Sequence, residues 1–245
     1  MARKPILALI LAAFFLSGCL YPDEKLSKNQ VPNDVQLQSI QTAIEQFIEK
    51  HPYQLPIQNR EQDTPVLQKY PVDFSRLKEE NILSEAPGNS FEQGGVYQYV
   101  LIHAEENPTV KVMDLRVTQK LREVNMRLIA YRNEHRYPPF GEVIGENVYS
   151  INHQELGYDE PPQIKSPYTQ NHLPIVIDGN GELYIDYRPD LNQYLQQYDH
   201  SYTSGDDIRY VLAENSPIVP AHSLPYTVKD GEPVFSVGLQ EKEGN

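Results

Sequence analysis

The stretch Asp34–Tyr53, DVQLQSIQTAIEQFIEKHPY, decides the fold, because it reads as an amphipathic helix with both ends marked. Leu37, Ile40, Ile44, Phe47 and Ile48 recur at three- and four-residue spacing and form one apolar stripe. Asn33, with Gln36 three residues later, has the pattern of a capping box. Pro52 cannot continue a helix and disfavours helical geometry at His51, so the helix is predicted to stop near Lys50. A second stretch, Thr118–Tyr137 (TQKLREVNMRLIAYRNEHRY), repeats this pattern at a fixed offset. Leu37 then meets Leu121, Ile40 meets Val124, Ile44 meets Leu128, and Phe47 meets Tyr131. His51 meets His135 and Tyr53 meets Tyr137; Val117 opens this second stripe, and Pro138-Pro139 closes it.

Working outward, the likeness continues. Tyr70-Pro71-Val72-Asp73 and Leu77 correspond to Tyr149-Ser150-Ile151-Asn152 and Leu156, and Pro87 to Pro167. Met113-Asp114-Leu115-Arg116 corresponds to Ile185-Asp186-Tyr187-Arg188. Ordered matches of this kind predict a duplicated module. Each copy reads as a helix, a mixed loop and a β-hairpin. The first hairpin spans 96–102 and 110–115, with a turn near Asn107-Pro108. The second spans 174–177 and 183–187 around Asp178-Gly179-Asn180-Gly181. A short helix near 191–198 and a third hairpin at 226–229 and 234–237 follow. The expected fold is α+β: two similar modules (34–116 and 117–190), each a helix packed on a small antiparallel sheet. Residues 191–245 are expected as a C-terminal helix and hairpin extension.

The N-terminus is of another kind. Arg3 and Lys4 precede an apolar run, Pro5 to Phe15, that is too short for the roughly 20 residues of a membrane-spanning helix. Leu16-Ser17-Gly18-Cys19 follows and resembles the lipobox of bacterial lipoproteins, Leu-small-small-Cys. The resemblance implies a signal peptide at 1–18 and an S-diacylglycerol on Cys19. Several acyl chains, at about 0.8 kcal/mol per buried CH₂, hold a protein on a membrane. It also implies a lipid-anchored tether at 19–33, which extends to roughly 45 Å at most between Leu20 and Asn33. The remainder is similar to lipoproteins of Bacillus-type bacteria, a likeness that implies no activity.

Charge narrows the partners. Thirty-four acidic side chains face 21 basic ones, and the chain beyond Cys19 is more acidic still than the overall −13. Such a surface repels phosphate backbones, so nucleic acid is excluded as a partner, and anionic headgroups are disfavoured apart from the anchor. The single cysteine excludes a disulfide framework and a cysteine-clustered zinc site. No G-x-S-x-G, H-E-x-x-H, phosphate loop or G-x-G-x-x-G occurs. Gly141 and Gly145, in FGEVIGENV, read as a loop.

Four features invite a functional reading beside a plainer one. His51 and His135 sit at matched helix ends, where a shared metal is conceivable, but interaction with the helix dipole is the favoured account. Asp178–Glu182 alternates oxygen donors like a calcium loop yet reads better as a hairpin turn. Asp199–Asp207 reads as a solvated loop rather than a cation site. Tyr131, Tyr137, Pro138, Pro139 and Phe140, with Tyr149, Tyr168 and Tyr184, would either stack on sugars or peptides or seal the seam between helix and sheet. The seam is favoured, and Tyr137 and Phe140 are the candidate partner-binding residues. The expected function is a membrane-anchored extracytoplasmic lipoprotein without catalysis, metal or cofactor, acting in envelope binding or assembly with the membrane and an envelope protein as partners. The alternatives are a transporter's solute-binding lipoprotein and, behind it, an envelope hydrolase.

Overall fold

A computed structural model describes residue 28 and residues 30–236. The signal peptide, Cys19 and most of the tether lie outside the described residues. Helix α1 (Asp34–Lys50) starts with both bonds of the expected capping box: the Gln36 N–H donates to Asn33 Oδ1 at 2.9 Å, and the Asn33 N–H to Gln36 Oε1 at 3.2 Å. Its stripe of Ile40, Ala43, Ile44 and Phe47 is buried against β1 (Tyr97–Ile102) and β2 (Thr109–Asp114), where it meets Tyr97, Tyr99, Leu101 and Val112. Each large side chain so buried stabilises the fold by about 1.5–3 kcal/mol. Between them lies α2 (Phe74–Glu79), capped by the Asp73 carboxylate; no apolar period in the sequence marks it.

Helix α3 (Leu115–His135) repeats the arrangement on a larger sheet. Val117, Leu121, Val124, Leu128 and Tyr131 pack on β3 (Phe140–Gly145), β4 (Val148–Ile151), β5 (Gln163–Lys165), β6 (His172–Asp178) and β7 (Leu183–Ile185). All the pairings are antiparallel, in the order β3-β4-β6-β5, with β7 also on β6. Helices α4 (Arg188–Gln197) and α5 (Arg209–Glu214) follow, then β8 (Tyr226–Lys229) and β9 (Glu232–Phe235). The fold is α+β.

Two readings of the sequence change. FGEVIGENV is not a loop but most of the β3–β4 hairpin. Its glycines are there because neighbours come close: a Cβ at Gly141 would stand 2.4 Å from Ser150 Oγ, and one at Gly145 2.6 Å from the Phe235 ring. The tether is also shorter than its polarity suggests. Lys28 O accepts the Val96 N–H at 3.2 Å, and Gln30 O accepts Asn89 Nδ2 at 2.8 Å, so its last residues belong to the folded body.

Contacts recur between the two halves. Ile57 bridges Val72 as Phe140 pairs with Ile151, and Pro71 bridges Val100 as Ser150 pairs with Val176. The Asp73 N–H donates to Pro56 O at 2.7 Å, and the Asn152 N–H to Pro139 O at 2.8 Å. Asp114 and Asp186 hold Arg116 and Arg188 in the same way, each through the arginine N–H, its Nε and an Nη2 at 2.6 Å. Asp207 and Arg209 form a third such clamp before α5, one that the sequence comparison passed over.

The C-terminal segment is built into the body rather than appended to it. Val112 donates its N–H to Pro217 O and accepts from the Val219 N–H, both at 2.9 Å, which puts 217–219 parallel to β2. Four residues later Ser223 bridges Ile185 of β7, also in parallel, and the Ile185 N–H donates to His222 O at 2.9 Å. One short stretch thus runs along the edges of both sheets. Lys111 fastens it from β2, donating to Ser216 O at 2.8 Å.

Candidate functional site

Where the first sheet, the start of α3 and this segment meet, a cleft of about 800 Å³ opens. The first half supplies Gln58, Arg60, Thr64, Gln68, Phe91 and Gln98. Helix α3 supplies Thr118, Gln119 and Arg122, spaced so that they share one side of its first turns, and the C-terminal segment supplies His222.

Gln98 is the unusual member. It sits in β1, all six residues of which are buried, opposite Met113 in β2. Tyr97, Tyr99 and Leu101 belong to the core under α1, and Val100, Ile102 and Met113 to a smaller core with Leu67, Ala213, Val219 and Ala221. Gln98 alternates with the first group and falls on the second side. It is only 8 % exposed, and its side-chain amide has no hydrogen-bond partner among the described residues. What little surface it keeps lines the cleft.

Charge in the cleft runs against that of the chain. Arg60 and Arg122 are in no ion pair among the described residues, and Glu92 is the one carboxylate in the lining. His222 is pushed below its ordinary pKa by burial and, secondarily, by the Arg122 charge, so its ring is neutral at pH 7. Thr118 Oγ1 and His222 Nε2 lie 2.8 Å apart. That pair has the form of a nucleophile beside a base, but no carboxylate meets the other ring nitrogen among the described residues. Its evident effect is mechanical: His222, at φ +52°, pins the stitching segment to α3.

A second cleft, of about 670 Å³, lies on the other side of the same helix turns. Arg116, Lys120 and Lys165 line it with Val31, Val117 and Ile164. Its arginine is committed to Asp114 and to the Tyr97 hydroxyl, at 2.8 Å, and Lys120 to Glu123 at 3.0 Å. It therefore has fewer uncommitted polar groups than the first.

The residues singled out in the sequence are dispersed. Tyr137 is exposed and meets Tyr131 edge-on at 6.0 Å; Phe140 is half-buried against Tyr149 at 4.6 Å. Tyr168 does not join them, since its hydroxyl donates to Ile218 O and its ring meets Tyr187 and Tyr194. The aromatic cluster is therefore not one stacking surface. His51 lies on Phe47 and reaches Glu80 at 3.2 Å, while His135 stacks on Tyr131 with Nδ1 3.1 Å from Tyr131 O, the kind of contact a helix end offers. Asp178 Oδ1 accepts the Asn180 and Glu182 N–H groups, which commits it to a turn. Asp206 accepts from Thr203, and Asp207 holds Arg209. Among the described residues no group of three or more His, Cys, Asp or Glu could hold a metal ion, and no helix is long and apolar enough to cross a membrane.

Sequence reasoning missed the cleft because its members are drawn from positions 58 to 222. One local signal existed: a lone amide inside the apolar run YQYVLI. Residues 33–114 match the family described as YphF family N-terminal domain, about a third of the chain. The match begins at the N-cap of α1 and ends at the clamp residue Asp114, and it includes Gln58, Phe91 and Gln98. No curated protein and no solved structure matches the chain.

Proposed function

We propose that the protein is an extracytoplasmic lipoprotein, anchored through acyl chains on Cys19, that works by binding rather than by catalysis. Leu16-Ser17-Gly18-Cys19 carries the anchoring half: small residues before the only cysteine of the chain match what lipid transfer and signal cleavage require. The cleft beside α3 supports the binding half, because it gathers Gln58, Gln68, Gln98, Gln119 and two arginines whose side chains have no hydrogen-bond or ion-pair partner among the described residues. The chain is read as two copies of one α+β module, 34–116 and 117–190, locked by the segment at 217–223. The recurring pairings of Ile57–Val72 and Phe140–Ile151, and the family match ending at Asp114, support that reading.

The test of anchoring is incorporation of labelled palmitate in cells. Wild type should take up label and Cys19→Ala should accumulate as unlabelled precursor; equal labelling defeats the anchor. The test of the binding role is recovery of the lipidated chain from crosslinked envelopes, with a defined envelope component attached. Cleavage of peptidoglycan or peptide by the pure protein would overturn the non-catalytic half.

A further inference from the structure

We infer that the cleft between Gln98 and Arg122 is a binding site for an anionic glycan, that is, for sugar rings bearing acetamido and carboxylate groups. The inference rests on the reading of the protein as a binder and names what that binder holds. Three observations point to this class. The cleft concentrates amides and hydroxyls: Gln58, Gln68, Gln98 and Gln119 offer both donors and acceptors, and Thr64 and Thr118 add hydroxyls. Side-chain amides pair in two directions with hydroxyl and acetamido groups, which suits a ligand that is polar on every edge. Beside them Phe91, 62 % exposed overall, lines the cleft and offers a flat apolar face against which a sugar's C–H face can lie.

The two uncommitted guanidiniums supply the second element. Arg60 and Arg122 come from separate halves of the chain and face a ligand whose charge must oppose theirs. In a molecule of net charge −13, a cleft with one carboxylate and two cations that are unpaired among the described residues is a local inversion of sign. A carboxylate on the ligand takes a guanidinium in two parallel bonds.

The third element separates a glycan from a peptide. An extended peptide would be held by main-chain bonds to a free strand edge. Near this cleft the edges of the hairpin are taken: β1 by Tyr70–Val72, through the Leu101 and Val72 N–H groups, and β2 by residues 217–219. Recognition must therefore come from side chains. Gln98 is the anchor of that recognition: the residue is nine-tenths buried, its amide has no hydrogen-bond partner among the described residues, and what surface it keeps lines the cleft, where a ligand can reach it.

The experiment titrates the full chain, in detergent, with three probes read by saturation-transfer NMR and calorimetry. They are the disaccharide N-acetylglucosaminyl-N-acetylmuramic acid, its uncharged counterpart N,N′-diacetylchitobiose (below, chitobiose), and tetraglutamate. Saturable binding is expected for the acidic disaccharide, at least tenfold weaker binding for chitobiose, and none for tetraglutamate. Gln98→Met keeps the volume and apolar packing of the site; it should weaken the acidic disaccharide at least tenfold while leaving the melting temperature unchanged or raised. The double substitution Arg60→Gln, Arg122→Gln should bring the acidic disaccharide down to the level of chitobiose. Failure of both disaccharides to saturate, binding of tetraglutamate instead, or wild-type affinity in Gln98→Met would each overturn the inference. None of these outcomes bears on palmitate labelling at Cys19, so the anchor and the glycan site fail independently.

Discussion

The two sides of strand β1 treat polar atoms in opposite ways. On the side of α1, Tyr97 and Tyr99 carry hydroxyls into the core, and each is met: Arg116 Nη2 donates to the Tyr97 hydroxyl at 2.8 Å, and Tyr99 donates to Asn89 Oδ1 at 3.0 Å. Burial holds both phenols protonated, raising Tyr97 to about 12 despite the nearby Arg116. On the other side Gln98, 8 % exposed, has an amide that nothing among the described residues meets, and the surface it keeps lines the cleft. The tyrosine hydroxyls are held by the fold, whereas the Gln98 amide is left to solvent or to a ligand in the cleft.

The largest expected effect is on the satisfied side. Tyr99 is 1 % exposed and packs edge-on against Phe74, so Tyr99→Ala should cost about 3–5 kcal/mol of unfolding free energy in a denaturant titration. Tyr99→Phe keeps the ring and removes only the bond to Asn89; it should cost about 1–3 kcal/mol, the penalty of an acceptor left bare. A neutral Tyr99→Phe would erase the contrast, because the hydroxyl would then be as idle as the Gln98 amide.

Gln98→Met comes next, and its effect is small. The amide makes no bond to the described residues and borders the cleft, so a thioether of similar volume should change the unfolding free energy by no more than about 0.5 kcal/mol, read as the denaturation midpoint at constant slope. A loss of 1 kcal/mol or more would mean that the amide has partners in solution and that the two sides are alike.

How much of this could be read from the chain depends on distance along it. Helix α1 was legible to its ends because the Asn33–Gln36 box and Pro52 are local, and the hairpin at Asp178–Gly181 because its turn chemistry is local. The β3–β4 hairpin was hidden, since Gly141 and Gly145 answer to Ser150 and Phe235, neither of which a local window ties to them. Helix α2 is too short to show a period. The cleft was the least legible, because a Gln between two tyrosines in YQYVLI is what an ordinary half-exposed strand looks like. Only the covering of both sides of β1, by α1 and by residues 213–221, turns that position into a buried one.

Acid should loosen the open side before the closed one. His222 titrates below its unfolded value of about 6.5. Below pH 6.5 the unfolded chain takes up a proton that the native ring does not, so this residue's contribution to stability is present at neutral pH and declines as the pH falls toward the native value. His222→Asn keeps a side chain that tolerates the positive φ while removing the titration. The difference in stability between wild type and His222→Asn should therefore shrink or invert from pH 7 to pH 5, measured by urea denaturation at each pH. A difference independent of pH would show that the ring is not held neutral beside Arg122.

The smallest effects on stability test whether exposure alone marks function. Phe91, at 62 % exposed, borders the cleft; Tyr137, at 57 %, stands at the end of α3 against Tyr131 and His135. Both rings lose little on truncation because little of either is buried, so Phe91→Ala and Tyr137→Ala should each change unfolding free energy by no more than about 0.5 kcal/mol. Their effects on ligand should diverge. A sugar stacked on Phe91 loses that face when the ring is removed, and binding of the acidic disaccharide should weaken severalfold, whereas Tyr137→Ala should leave it untouched. Phe140→Ala is the internal control: the ring is half-buried on Tyr149 and the second core, so its loss should lower the melting temperature without selective loss of binding. Equal weakening by Phe91→Ala and Tyr137→Ala would move the site away from the cleft, since Tyr137 does not line it.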